Sequence, residues 1–126
     1  MKYKGTLLVV KDCRKALEFY RNLFGLELLV DNDGNMELSG GIYLQEEQYW
    51  EKFLGEKAEG WNNHTELYFE DDDIQGFLEK LERLYPETQF VHPLLTHSWG
   101  QQVVRFYDED GNLIEVGTPV RTQEEK

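Results

Sequence analysis

The sequence repeats itself at a fixed interval. Asp12 precedes an amphipathic stretch with apolar positions Cys13, Ala16, Leu17, Tyr20 and Phe24, and Asp73 precedes another with Ile74, Phe77, Leu78, Leu81 and Tyr85. The two aspartates lie 73 − 12 = 61 residues apart, and the runs before them, Thr6-Leu7-Leu8-Val9-Val10 and Leu67-Tyr68-Phe69-Glu70-Asp71, keep that interval. Apolar residues three and four apart behind a capping carboxylate predict a helix, and the short apolar runs predict strands. A duplicated strand–helix–strands unit places its halves around a shared cleft. The repeat therefore points to where a ligand would sit.

At 126 residues the chain is one domain's worth. Two halves of about sixty residues would each be marginal alone, so one cooperative unit is expected over 1–120, with a first module at about 1–46, a linker at 47–63 and a second module at 64–117. The net charge of −12 and the isoelectric point of about 4.6 argue against nucleic acid or an anionic membrane as partner. They fit a soluble cytoplasmic protein kept apart by self-repulsion. Cys13 is the only cysteine, which excludes an internal disulfide and a multi-thiolate metal site. Its place on the apolar helix face predicts a buried, inert thiol. The first five residues run into a strand without a signal-peptide apolar region, and no apolar run reaches membrane-spanning length.

Along the chain, strands are predicted over 3–10, 27–30, 36–38 and 42–46, with a helix from Asp12 to Phe24 closed by Gly25. In the linker, Tyr49, Trp50, Phe53 and Leu54 fall at helical spacing, predicting a short helix with an aromatic face. The second half predicts strands over 64–70, 88–91, 101–107 and 113–116 and a helix over 73–85 before Pro86. His92 and His97 are placed in a loop over 91–99. Residues 121–126 are a polar tail, expected to fray. The acidic segments 31–35 and 108–112 resemble calcium loops, but the twelfth positions are Ile42 and Pro119, so both are assigned as turns.

The alternation of Val104 and Phe106 with Arg105 and Tyr107, followed by Asp108-Glu109-Asp110-Gly111-Asn112-Leu113-Ile114-Glu115-Val116-Gly117, resembles a known family. Together with Lys11-Asp12, Phe19-Tyr20, Leu23-Phe24-Gly25-Leu26 and Glu70-Asp71-Asp72-Asp73-Ile74, it is similar to the glyoxalase, bleomycin-resistance and extradiol-dioxygenase (vicinal oxygen chelate) superfamily. The likeness runs from Tyr3 to Gly117. It implies an α+β fold of two tandem βαβββ modules forming one curved half-barrel sheet, with helices on the convex side, a ligand cup on the concave side and commonly a homodimer. Strand alternation would then turn Gly5, Leu7, Val9, His64, Glu66, Tyr68, Glu70, Gln101, Val103, Arg105, Tyr107, Leu113 and Glu115 to the cup and Thr6, Leu8, Val10, Leu67, Phe69, Val104, Phe106, Ile114 and Val116 to the core.

Metal-using members of that superfamily carry one ligand on the first and one on the last strand of each module. The matching positions here are Gly5, Gln45, Glu66 and Glu115. Glu115 fits the family's closing glutamate, Glu66 stands where histidine is usual, and Gly5 has no donor. A shifted set of His64, Glu66 and Glu115 would suit a divalent ion with open positions. Arg105, expected beside Glu115, would instead pair with a carboxylate and compete with a cation. A salt-bridged polar cup without metal is the preferred reading.

Tyr68, Trp99 and Tyr107 fall on the cup or its rim with Gln101 and Arg105, and Trp50 and Phe53 lie on a linker able to cover the mouth. Such aromatics serve either a planar or amphipathic small molecule or a dimer interface. The first reading of function is a bleomycin-resistance-like protein holding such a ligand without cofactor. The alternative is a divalent-metal isomerase, lyase or dioxygenase acting on vicinal oxygens.

Overall fold

The computed structural model describes residues 1–120, so the polar tail at 121–126 lies outside the described residues. The chain divides into two compact units, Met1–Gly60 and the part from Trp61 onward.

In the first unit, β1 (Thr6–Val10) leads to α1 (Cys13–Phe24), then to β2 (Leu28–Asp31), β3 (Asn35–Leu38), β4 (Ile42–Glu46) and α2 (Glu47–Leu54). The Asp12 carboxylate accepts from the N–H groups of Arg14 and Lys15, and Glu46 reaches across to accept from the N–H of Cys13. Two carboxylates thus meet the positive end of α1. Gly25, at φ 68°, ends the helix in the left-handed region with its N–H bonded back to Arg21. The buried set Leu8, Val10, Ala16, Leu17, Tyr20, Leu23, Met36, Leu38 and Leu44 forms the core, and Cys13 is buried with it. The 31–35 segment is a hairpin turn: Asp33 and Gly34 both take positive φ, at 41° and 84°, as a tight two-residue turn requires.

The second unit repeats the plan with β5 (Glu66–Glu70), α3 (Ile74–Leu84), β6 (Phe90–Thr96), β7 (Gln102–Tyr107) and β8 (Leu113–Gly117). Asp73 caps α3 by accepting from the N–H of Gly76. The strand orders are β1-β4-β3-β2 and β5-β8-β7-β6, with first and last strands of each module paired in parallel. The chain is therefore an α+β fold of two βαβββ modules, each a four-stranded mixed sheet, and α2 is the additional linker helix. Phe77 of α3 meets Phe106 of β7 with ring centroids 5.9 Å apart, and Leu67, Leu81, Val104, Ile114 and Val116 are buried with them. Burying each such side chain contributes about 1.5–3 kcal/mol.

Two expectations need correction. The segment 91–99 is not a loop, because β6 continues through Thr96 and carries His92. Pro93 reads as a strand breaker, yet β6 is the sheet edge and its pairing with β7 shifts register on both sides of His92, where a missing N–H is tolerated. Val103, expected on the open face, is fully buried, as is its neighbour Val104.

Candidate functional site

The site is built on one face of the second module's sheet. Phe106 faces α3, so alternation turns Arg105 to the opposite face. Pairing then sets its neighbours: Arg105 lies across from Glu115 on one side and His92 on the other, and Tyr68 lies across from Glu115.

The Arg105 guanidinium is the centre of this face. Its Nε donates to Glu66 Oε1 at 3.0 Å, its Nη2 donates to Glu115 Oε1 at 2.7 Å, and its Nη1 lies 3.2 Å from His92 Nε2. The three charged side chains are unequally covered: Glu115 keeps 10% of its side-chain surface, against 29% for Glu66 and 31% for Arg105. Burial raises the Glu115 carboxyl above its ordinary value of 4.5, and the hydrogen bond and negative charge of Glu66 push the same way. Arg105 opposes both without cancelling them.

Beside this cluster runs a polar relay. Gln101 is buried and donates through Nε2 to Tyr68 Oη at 2.9 Å and to the Thr118 carbonyl at 3.0 Å, while its Oε1 accepts from Trp99 Nε1 at 3.1 Å. Gly117 makes room for it, since a Cβ there would stand 2.8 Å from the Gln101 amide nitrogen and 3.4 Å from the Tyr68 ring. The Tyr68 and Trp99 rings remain largely exposed, and Trp99 stacks on His97 at 4.1 Å. Both rings are thus held by their polar ends and stay exposed, with one face of Trp99 covered by His97.

The structure brings together Glu66, Tyr68, Trp99, Gln101, Arg105 and Glu115 in this module. It does not add Tyr107 or His64 to the network. The Tyr107 hydroxyl donates to Asn63, and its ring packs against Trp61 at 4.7 Å. His64 is exposed, its backbone N–H bonded to Asn62. Gln45 and Trp50 belong to the first unit, where the Gln45 amide donates to Asn35 and Trp50 is half-buried on α2. The ladders also shift the internal match. Tyr68 corresponds to Leu7 (68 − 61 = 7), and Leu7 pairs with Tyr43 as Tyr68 pairs with Glu115, so Tyr43 rather than Gln45 is the counterpart of Glu115. His92 is the participant that sequence reasoning left outside, because Pro93 concealed its strand.

The sequence profile of the glyoxalase-like domain matches residues 3–121. The chain belongs to this family. Solved structures carry the same fold around this glyoxalase-like chain. A protein of unknown function from Agrobacterium tumefaciens is 28% identical, with 95% of each chain covered and a TM-score of 0.77. A lactoylglutathione lyase from Agrobacterium tumefaciens is 25% identical over 90% of each chain, with a TM-score of 0.67. A genomically encoded fosfomycin resistance protein from Listeria monocytogenes is 22% identical over 99% of this chain and 97% of its own, with a TM-score of 0.71. No curated protein matches the sequence significantly.

Members of the superfamily often use a divalent ion, but the residues of this glyoxalase-like domain do not fit one. Both carboxylates at the matching positions of the second module, Glu66 and Glu115, are bound to Arg105. Gly5 lacks a donor, and its backbone could not carry one: at φ 145°, a Cβ would stand 2.0 Å from the Gly41 carbonyl oxygen. Among the described residues no three His, Cys, Asp or Glu side chains are grouped to hold a metal. Nor is any described helix long and apolar enough to cross a membrane.

Proposed function

We propose that this glyoxalase-like protein binds a small planar or amphipathic molecule on the open sheet face of its second module, without a metal cofactor. The observation that supports this reading is the pairing of two exposed rings, Tyr68 and Trp99, anchored through one buried amide, with a fixed ionic cluster on the same face. The rings offer apolar contact and the cluster offers orientation, which is the usual division of labour in a small-molecule site. Arg105, already bonded to two carboxylates and facing an imidazole nitrogen, sets polarity. The protein works in the cytoplasm as a homodimer in this proposal, and nucleic acid and membranes are not its partners.

A second reading, a divalent-metal isomerase, lyase or dioxygenase, draws on the likeness to the lactoylglutathione lyase. The ion pairs of Arg105 weigh against it. Fluorescence titration with naphthol, compared between the wild type and Tyr68→Ala and Trp99→Ala, tests the first reading. Each variant should weaken binding by about tenfold, the effect of losing one well-packed aromatic contact. Equal binding by all three proteins would refute it. Elemental analysis of protein purified without chelator separates the two readings, since stoichiometric metal lost in Glu115→Ala would favour the enzyme.

A further inference from the structure

The ionic cluster supports a more specific statement about what takes the place of a metal ion, resting on the metal-free part of the reading above. A guanidinium has no acceptor lone pair and keeps its proton at any ordinary pH. The 3.2 Å contact of Arg105 Nη1 with His92 therefore makes His92 Nε2 the acceptor. The imidazole proton then resides on Nδ1, which donates to the Pro93 carbonyl at 2.8 Å. This is the neutral tautomer, oriented by a backbone carbonyl through its far nitrogen, in which histidine serves as a metal ligand. Two carboxylate oxygens and one imidazole nitrogen thus address a single cation from three sides. One histidine with two carboxylates is a donor set that suits divalent transition ions. With the guanidinium seated among them, these three groups do not form a metal site among the described residues.

We infer that Arg105 is the resident cation of the second module: Glu66, Glu115 and His92 form a latent three-ligand site that the guanidinium fills, and removing it opens the site to a divalent ion. Histidine in this set comes from the edge strand β6, outside the positions that the superfamily resemblance marks. The tether also explains the choice of cation. An arginine carried on β7, between the strands of His92 and Glu115, is always present, whereas a free ion must displace it and expose two carboxylates to each other.

Co²⁺ alone is the probe. Wild-type and Arg105→Ala protein, both purified without chelator, are dialysed against Co²⁺ and read by elemental analysis and thermal denaturation. Arg105→Ala should retain about one equivalent and gain thermal stability with Co²⁺, while the wild type retains none and its Tm does not move. Adding His92→Ala to that variant should weaken Co²⁺ binding by at least about tenfold. If Arg105→Ala unfolds without metal, Co²⁺ should restore its circular dichroism. Arg105→Met keeps all three proposed ligands and much of the stem's volume, and provides a second host, which should also bind Co²⁺. A wild type that holds a full equivalent, lost in Glu115→Gln, would overturn both this inference and the metal-free reading. Variants that are folded and take up no Co²⁺, or that Co²⁺ fails to refold, would overturn this inference alone.

Discussion

Replacing Arg105 with methionine keeps much of the stem's volume and removes only the guanidinium. Two charge-assisted hydrogen bonds to carboxylates are lost, together with the contact to His92. Hydrogen bonds to charged groups contribute about 1.5–3 kcal/mol each, and stranding one member of a buried pair costs about 3–5 kcal/mol. Glu66 and Arg105 keep roughly a third of their side-chain surface, so solvent screens that pair, whereas Glu115 keeps only 10%. With that discount the expected loss is about 3 kcal/mol. Urea denaturation followed by circular dichroism should show the midpoint falling by about 1.5 M, taking a slope of about 2 kcal/mol/M. The cost arises from carboxylates left without a cation. In a Glu66→Gln, Glu115→Gln background the same replacement should therefore cost about 1 kcal/mol or less. A loss below about 1 kcal/mol in the single variant, or equal losses in the two backgrounds, would refute the reasoning.

Glu115 gives a pH dependence of definite sign. Its carboxyl is raised in the folded state, so the folded protein binds more protons than the unfolded chain in the window beginning near 4.5. The stability it contributes should fall as pH rises through that window, and Glu115→Gln should flatten this part of a stability profile measured by urea unfolding. An unchanged slope in the variant would show that the carboxyl is not raised. Gln101→Leu strands the Tyr68 hydroxyl, the Trp99 indole N–H and the Thr118 carbonyl, and should cost about 2 kcal/mol, read by chemical denaturation. It should also leave Trp99 more open to acrylamide quenching, and unaltered quenching would count against the relay. Gly5→Ala forces a Cβ against the Gly41 carbonyl at a φ that side chains avoid, and should lower stability by at least about 2 kcal/mol; a thermal melt like the wild type would contradict that geometry.

Much of the module plan is visible in short-range chemistry. Asp12 and Asp73 announce helix starts, Gly25 a helix end, and Asp33-Gly34 a hairpin, because each acts on backbone groups within a few residues of itself. The 61-residue repeat carries the helix-start signal twice, and the two sheets repeat one strand order. His92 shows where such reading stops. Pro93 argues locally against a strand, and only the edge position and shifted register of β6 make one possible.

By itself, then, the sequence determined the strand–helix order, the apolar faces and the meeting of Arg105 with Glu115, since alternation and repeat are properties of neighbouring residues. Tertiary structure alone decided that one guanidinium faces His92 as well as both carboxylates, that Gln101 ties Tyr68 to Trp99, and that Tyr107 turns instead to Asn63 and Trp61. Those outcomes depend on register between strands distant in sequence. A shift of one residue reverses every side chain on a strand, and no local propensity encodes it.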